Sequence, residues 1–138
     1  SDRLIQKEEK RRLYQIIDEE GEEGFKAIEN RVNASIETED TVIATGGSVV
    51  YCSEAMEHLK SIGKVVYLRL SLESLEKRLG NLKKRGVLLK EGQTLKSLYE
   101  ERVPLYEKYA DIVVDEEGKD LEASLQALLE TLQKEINK

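Results

Sequence analysis

Residues 64–70 read Lys-Val-Val-Tyr-Leu-Arg-Leu, which is the composition of a strand inside a sheet. The run is rich in β-branched residues and almost continuous in apolar character, as strands buried on both faces are. One run before it and one after it have the same character: Thr41–Thr45 (TVIAT) and Asp111–Asp115 (DIVVD). We therefore predict three strands buried on both faces.

Helical segments lie around these strands, because apolar residues recur there every three or four positions. Ser53, Ser71 and Thr94 are predicted N-caps, and Gly63 is a predicted helix end. Strands alternating with helices indicate βαβ units, so we predict an α/β protein with a parallel sheet between two helix layers. The predicted helices are Arg3–Glu19, the segment from Phe25 to Ile36, Ser53–Ile62, Leu72–Leu82, Leu95–Tyr109 and Leu121–Ile136.

Composition excludes several classes of protein. The 138 residues suit one domain, and the 36% of charged residues are mixed in sign, as on solvated helix faces. A formal net charge of −6 argues against a general nucleic-acid binder, and no apolar run reaches the ~20 residues of a membrane span. The single cysteine, Cys52, excludes an intrachain disulfide and suits a reducing compartment. We predict a cytoplasmic protein with neither nucleic acid nor membrane as partner.

A glycine pair follows the first predicted strand, in the sequence Thr45-Gly46-Gly47-Ser48. Ligands of parallel sheets sit beyond the carboxyl ends of strands, and glycines there allow close approach to the backbone. A plain tight turn is the alternative.

Two arginines, Arg85 and Arg102, are of the residue type that binds carboxylates and phosphates, and solvated surface charge is the alternative for both. Pro104 predicts a break or kink in the helix near Arg102. His58 has no second ligand at metal-binding spacing, so no metal site is predicted.

Six motifs resemble those of the shikimate kinase family and occur in the family's order. They are Asp2–Ile5 (family D-x-D-x-x-I), Gly21–Glu29 (G-E-x-x-F-R-x-x-E), Ala44–Ser48 (A-T-G-G-G), Val65–Leu68 (V-V-Y-L), Arg102–Tyr106 (R-x-P-L-Y) and Ala110–Asp115 (A-D-x-x-V-D). The resemblance implies a three-layer α/β/α domain of the P-loop kinase type over residues 1–138, with strand order 2-3-1-4-5. The three strands would be the third, fourth and fifth, with the first two missing from these residues.

The resemblance also implies an activity, which is Mg²⁺-dependent transfer of the γ-phosphoryl group of ATP to the 3-hydroxyl of shikimate in aromatic amino-acid biosynthesis. Asp2 would be the candidate base, Glu29 would hold the residue at position 26 in place, and Arg85 would reach the transferring phosphate from a lid at residues 80–94. The implied substrate-binding residues are Asp2, Lys26, Gly46, Gly47, Ser48 and Arg102. The implied nucleotide-binding residues are Arg78, Arg85 and Lys119.

Three departures from the family pattern fall in the acceptor pocket or the lid. Lys26 replaces an arginine, Ser48 replaces the third glycine and would intrude where the family leaves space, and Arg85-Gly86 opens a looser lid. A kinase of another small hydroxylated acid therefore remains open. A second alternative is a non-catalytic relative that binds a small carboxylate or a partner protein. A third is an acidic α/β domain whose glycines and arginines are only structural.

The phosphate-binding pattern G-x-x-x-x-G-K-[ST] does not occur in the sequence. We expect it upstream of Ser1, in a parent enzyme that is a monomer. We expect residues 1–138 alone to bind ATP poorly.

Overall fold

The computed structural model describes residues 1–79 and 94–136. These residues fall into two compact units, one of residues 1–63 and the other of residues 64–79 and 94–136. Residues 80–93, which include Arg85 and nearly all of the expected lid, lie outside the described residues. The elements are α1 (Asp2–Glu9), α2 (Leu13–Ala34), a 3-10 helix (Gly47–Tyr51), α3 (Ser53–Ile62), β1 (Val66–Arg69), α4 (Leu72–Leu79), α5 (Leu95–Tyr109), β2 (Ile112–Asp115) and α6 (Leu121–Ile136).

The first unit is built on α1 packed against α2. A single helix over Arg3–Glu19 is wrong, because Lys10 adopts a left-handed conformation (φ 56°) that ends α1, and its N–H bonds to the carbonyl of Gln6. Apolar periodicity persists across this turn because both helices face one core, so the pattern could not reveal the break. That core consists of Ile5, Ile16, Phe25 and Val32.

The long helix α2 is bent at Gly21, where φ is 74°, a value that favours glycine. The part after the bend carries Lys26 and Glu29, and α3 and the 3-10 helix both pack on α2. The cap of α3 differs from the expectation: its N-cap is Cys52 rather than Ser53, and Asn30 of α2 accepts the Ala55 N–H at 3.0 Å.

The predicted strand Thr41–Thr45 is not a strand in the described residues. A strand exists through its hydrogen-bonded neighbours, and this segment forms no ladder with another described segment. Val42 is accordingly 95% exposed. One contact is made by Ala44, whose carbonyl accepts a hydrogen bond from the Ser1 nitrogen and so brings the start of α1 to the end of this segment.

The second unit contains a parallel pair, β1 and β2, in which Val66 pairs with Ile112 and Arg69 with Asp115. Two of the three predicted strands and their parallel direction are thereby confirmed. Burial on both faces is wrong for the described residues, because β2 alternates: Ile112 and Val114 are buried, whereas Val113 is 43% exposed. Helix α6 packs on β2, and no described element covers Val113 fully.

Helices α4 and α5 pack together in the second unit, and their predicted caps are confirmed. The Ser71 hydroxyl accepts the Ser74 N–H at 3.2 Å, and the Thr94 hydroxyl accepts the Ser97 N–H at 3.1 Å. Helix α5 runs unbroken through Pro104, so the predicted break is not found. A proline removes one helical hydrogen bond, and the bonds of neighbouring residues carry the helix past it.

An aromatic contact ties α5 to the sheet. The rings of Tyr67 in β1 and Tyr106 in α5 are stacked, with centroids 5.2 Å apart and planes at 24°. The Tyr99 hydroxyl donates to the carbonyl of Leu70 at 3.1 Å, one residue past the end of β1. These two contacts hold α5, the helix that carries Arg102, against β1.

Candidate functional site

Gly46 lies where two carboxylates meet in the first unit. A Cβ atom built on Gly46 would be 3.3 Å from Asp2 Oδ1 and 3.4 Å from Glu29 Oε2, so both oxygens lie within 3.4 Å of one point. Asp2 opens α1 and is exposed, whereas Glu29 is 1% exposed. Because Gly46 has no side chain, it leaves room beside the Asp2 carboxylate at the end of the 41–45 segment.

Ser48 contacts Glu29, the buried carboxylate beside Gly46. Its hydroxyl donates to Glu29 Oε1 at 2.7 Å, and the serine is 7% exposed. The side chain thus points to the interior and does not project into open space in this conformation. A buried carboxylate is costly unless it accepts hydrogen bonds, so the serine hydroxyl stabilises Glu29 in its position beside Gly46.

Lys26 brings a positive charge to the part of α2 that also carries Glu29. Its ammonium lies 3.2 Å from Glu22 Oε1 on the preceding turn of α2, and 4.4 Å from the centroid of the Tyr51 ring. The resemblance implied that Glu29 holds position 26, and this role stays a prediction; the ion pair of Lys26 in the structure is with Glu22. Sequence reasoning missed this carboxylate, although the i, i+4 spacing is a signal for such a pair. It also missed Tyr51, for which the sequence has no local signal.

Cys52 is close enough to Glu29 and Lys26 to be influenced by the charges of both. Burial raises the pKa of its thiol to about 11; the negative charge of Glu29 adds to this rise and Lys26 opposes it. The thiol donates to the carbonyl of Lys26 at 3.6 Å. Cys52 is 5% exposed, and a thiol that stays protonated is a poor nucleophile, so the side chain acts here as a small buried group.

In the second unit the structure brings together two residues of the implied nucleotide site, Arg78 and Lys119. The Arg78 guanidinium donates to the carbonyl of Lys119 at 3.0 Å, and Lys119 Nζ donates to the carbonyl of Asp115 at 2.7 Å. Arg78 is the exposed end of α4, and Lys119 follows β2. The third member of the implied nucleotide set, Arg85, lies outside the described residues.

The turn that carries Lys119 is fixed to the start of α4 by Glu117, whose carboxylate accepts the Ser71 N–H at 2.6 Å and the Ser74 hydroxyl at 3.0 Å. Arg102 of the implied substrate set is partly buried on α5. Asp2, Lys26, Gly46, Gly47 and Ser48 all belong to the first unit, and their roles stay predictions.

Solved structures of shikimate kinases share this fold. The chain superposes on the shikimate kinase of Acinetobacter baumannii, solved in complex with shikimate, with a TM-score of 0.79 at 30% identity; the match covers 99% of this chain and 77% of that one. With a parallel strand pair joined by helices, the protein is thus an α/β kinase of the P-loop type.

Sequence comparison agrees with the fold. The family model described as shikimate kinase matches residues 1–133. The shikimate kinase of Dictyoglomus turgidum is 36% identical over 136 residues, covering 95% of this chain and 79% of the relative. That of Francisella tularensis subsp. novicida is 39% identical over 122 residues, covering 86% and 69% respectively. The chain belongs to the shikimate kinase family.

Membership of this family implies ATP and typically Mg²⁺. The donor groups of the described residues do not by themselves fit the triphosphate and its metal. The glycine-rich phosphate cradle does not occur in the sequence, and within residues 1–79 and 94–136 no three His, Cys, Asp or Glu side chains are grouped to hold a metal ion. What these residues do contain is the close arrangement of Asp2, Glu29, Gly46 and Ser48 in the first unit. In the part of the chain that is described, no helix has the length and apolar character to cross a membrane.

Proposed function

We propose that this chain belongs to an ATP- and Mg²⁺-dependent kinase that phosphorylates shikimate, and that residues of its first unit bind the acceptor. The observation that carries the proposal is the meeting of Asp2 and Gly46, which are far apart in sequence and within van der Waals reach in the structure. A hydroxyl lying over Gly46 would be next to the Asp2 carboxylate, which could accept its proton. The likeness to an enzyme solved with shikimate supports the choice of acceptor.

The residues divide the work by charge. Lys26 would pair with the acceptor carboxylate, since an ammonium binds a carboxylate by a charge-assisted hydrogen bond. Gly46 and Gly47 would contact the acceptor through the backbone, because no side chain keeps it away. Arg102 is proposed as a second partner of the carboxylate, Arg85 as a partner of the transferring phosphate, and Arg78 and Lys119 as nucleotide contacts. Residues 1–138 are proposed to be one domain, with the lid at 80–94.

Asp2→Asn tests the assignment in the protein's full chain. Removing a general base lowers kcat by roughly 10²- to 10⁴-fold while leaving shikimate binding largely intact. Initial rates of ADP formation give kcat, and isothermal titration gives the affinity for shikimate. The matched control is Asp18→Asn, an exposed carboxylate of α2. Equal kcat values for the two variants would show that Asp2 is not the general base.

A second acceptor is favoured by one observation, the ion pair of Lys26 with Glu22. A lysine that is already paired presents one compact charge in place of an arginine fork, so it selects less strongly for one carboxylate geometry. A small hydroxylated acid other than shikimate is therefore the alternative. Turnover with such an acid and none with shikimate would establish it.

A further inference from the structure

The Lys26 ammonium is held from two sides. Glu22 contacts it along α2 at 3.2 Å, and the ring of Tyr51 lies 4.4 Å away across the unit. Tyr51 is the last residue of the 3-10 helix that begins at Gly47. One short element therefore connects the glycine turn with the ring that contacts the lysine.

An aromatic face attracts a cation because its π electrons make the face negative. The attraction grows when water is excluded, and the Lys26 side chain is only 18% exposed. Lysine has four rotatable side-chain bonds and no planar fork, so it needs an external contact to hold its charge in one place. An ammonium also has three donors, so contacts with Glu22 and the ring leave capacity for a ligand oxygen.

We propose that Tyr51 is a positioning residue for acceptor recognition: its ring holds the Lys26 ammonium where the acceptor carboxylate binds. This inference rests on the proposed function, because it requires Lys26 to contact the acceptor. The residue acts on binding rather than on chemistry. Its removal changes the KM for the acceptor and leaves kcat nearly unchanged.

The test compares Tyr51→Phe with Tyr51→Leu in the protein's full chain. Phenylalanine keeps the ring, whereas leucine keeps apolar bulk without the negative face. We expect Tyr51→Leu to raise the KM for shikimate roughly 3- to 20-fold, the range of a partly desolvated cation–π contact, and Tyr51→Phe to change it less than about twofold. Unfolding midpoints measured by circular dichroism verify that both variants fold.

A lysine-free background separates positioning from packing. In Lys26→Met, Tyr51→Leu should have no further effect on KM, because the charge that the ring positions is gone. Equal KM values for Tyr51→Leu and Tyr51→Phe, or the same loss in the Lys26→Met background, would overturn the inference. If the unaltered protein does not phosphorylate shikimate at all, the proposed function fails instead, and wild-type kinetics identify that case.

Discussion

Gly46 matters to the candidate site because of the space it leaves rather than because of backbone strain. Its φ of −71° and ψ of 156° are open to every residue, so glycine is not needed for conformation. Its value lies in the missing side chain, because the Asp2 and Glu29 oxygens approach the place where a Cβ would stand. A methyl group there would occupy the space in which we propose that the acceptor lies.

Gly46→Ala should therefore weaken shikimate binding by tenfold or more while costing little stability. The Cβ would stand 3.3 Å from Asp2 Oδ1, which is tighter than ordinary contact, so the exposed Asp2 side chain must move by a few tenths of an ångström, whereas the 3.4 Å to Glu29 Oε2 is close to ordinary contact. Isothermal titration measures the affinity, and thermal unfolding measures the stability.

Gly63→Ala is the matched control, because a Cβ at Gly63 meets nothing within 4 Å and the backbone there is extended (φ −173°). Unchanged shikimate affinity in Gly46→Ala would show that the acceptor does not lie over this glycine.

At the scale of elements, the turn after β2 is fixed to the start of α4 by acidic side chains. Glu117 accepts hydrogen bonds from Ser71 and Ser74, and the Asp115 carboxylate accepts the Glu117 N–H at 2.9 Å and contacts Arg69 at 3.2 Å. Hydrogen bonds from Ser71 lower the pKa of Glu117, and the Glu117 N–H lowers that of Asp115. This turn carries Lys119, so the stability of the turn affects the position of one residue of the implied nucleotide site.

The second unit should lose stability in acid as this turn loses its charges. A carboxylate whose pKa is lower when folded stabilises the fold above its ordinary value, 4.5 for Glu117, and that contribution disappears as the pH falls through the folded pKa. Glu117→Gln should flatten the fall in the free energy of unfolding below pH 4.5. Urea unfolding at a series of pH values measures it.

The control for this experiment is Glu76→Gln, an exposed carboxylate of α4. It should leave the acid dependence as in the unaltered protein. An identical pH slope for Glu117→Gln and the unaltered protein would contradict the assignment.

At the scale of the whole molecule, apolar side chains on the strands remain partly open to solvent. Leu68 in β1 is 49% exposed and Val113 in β2 is 43% exposed. A two-stranded sheet is also marginal without further strands or covering elements, and strand edges with unpaired backbone groups invite association.

Residues 1–138 as an isolated polypeptide should therefore self-associate as their concentration rises, which sedimentation velocity measures. Leu68→Lys should reduce the association, because a charge on an edge opposes pairing. Tyr14→Lys is the control, since Tyr14 is an exposed residue of α2 in the other unit. A single monomeric species at all concentrations, in the unaltered polypeptide, would contradict this prediction.

Local signals predicted much of this fold from the sequence. Ser71 and Thr94 cap helices because their hydroxyls sit three residues before the N–H groups they accept, which is a rule of local spacing. Strands β1 and β2 were also predicted from a local signal, which is an unbroken run of apolar and β-branched residues in each. The turn at Lys10 was not predicted, because α1 and α2 face the same core and the apolar pattern therefore continues through the turn.

The candidate site was harder to predict from the sequence than the fold, because its contacts depend on tertiary packing. The resemblance pointed to Asp2, Lys26 and Gly46, but the Ser48–Glu29 hydrogen bond joins residues of two separate elements. The contact of Tyr51 with Lys26 likewise arises from how the 3-10 helix lies on α2. No periodicity or cap rule could have indicated either contact.

The stacked pair of Tyr67 and Tyr106 has an optical consequence. The protein contains no tryptophan and six tyrosines, so its near-ultraviolet signals come mainly from tyrosine. Two rings stacked at 5.2 Å couple electronically, and the coupled pair reports whether α5 is seated on β1. Helix α5 carries Arg102, one turn before Tyr106. Near-ultraviolet circular dichroism thus provides an intrinsic, label-free signal for the seating of the helix that bears this arginine during a titration.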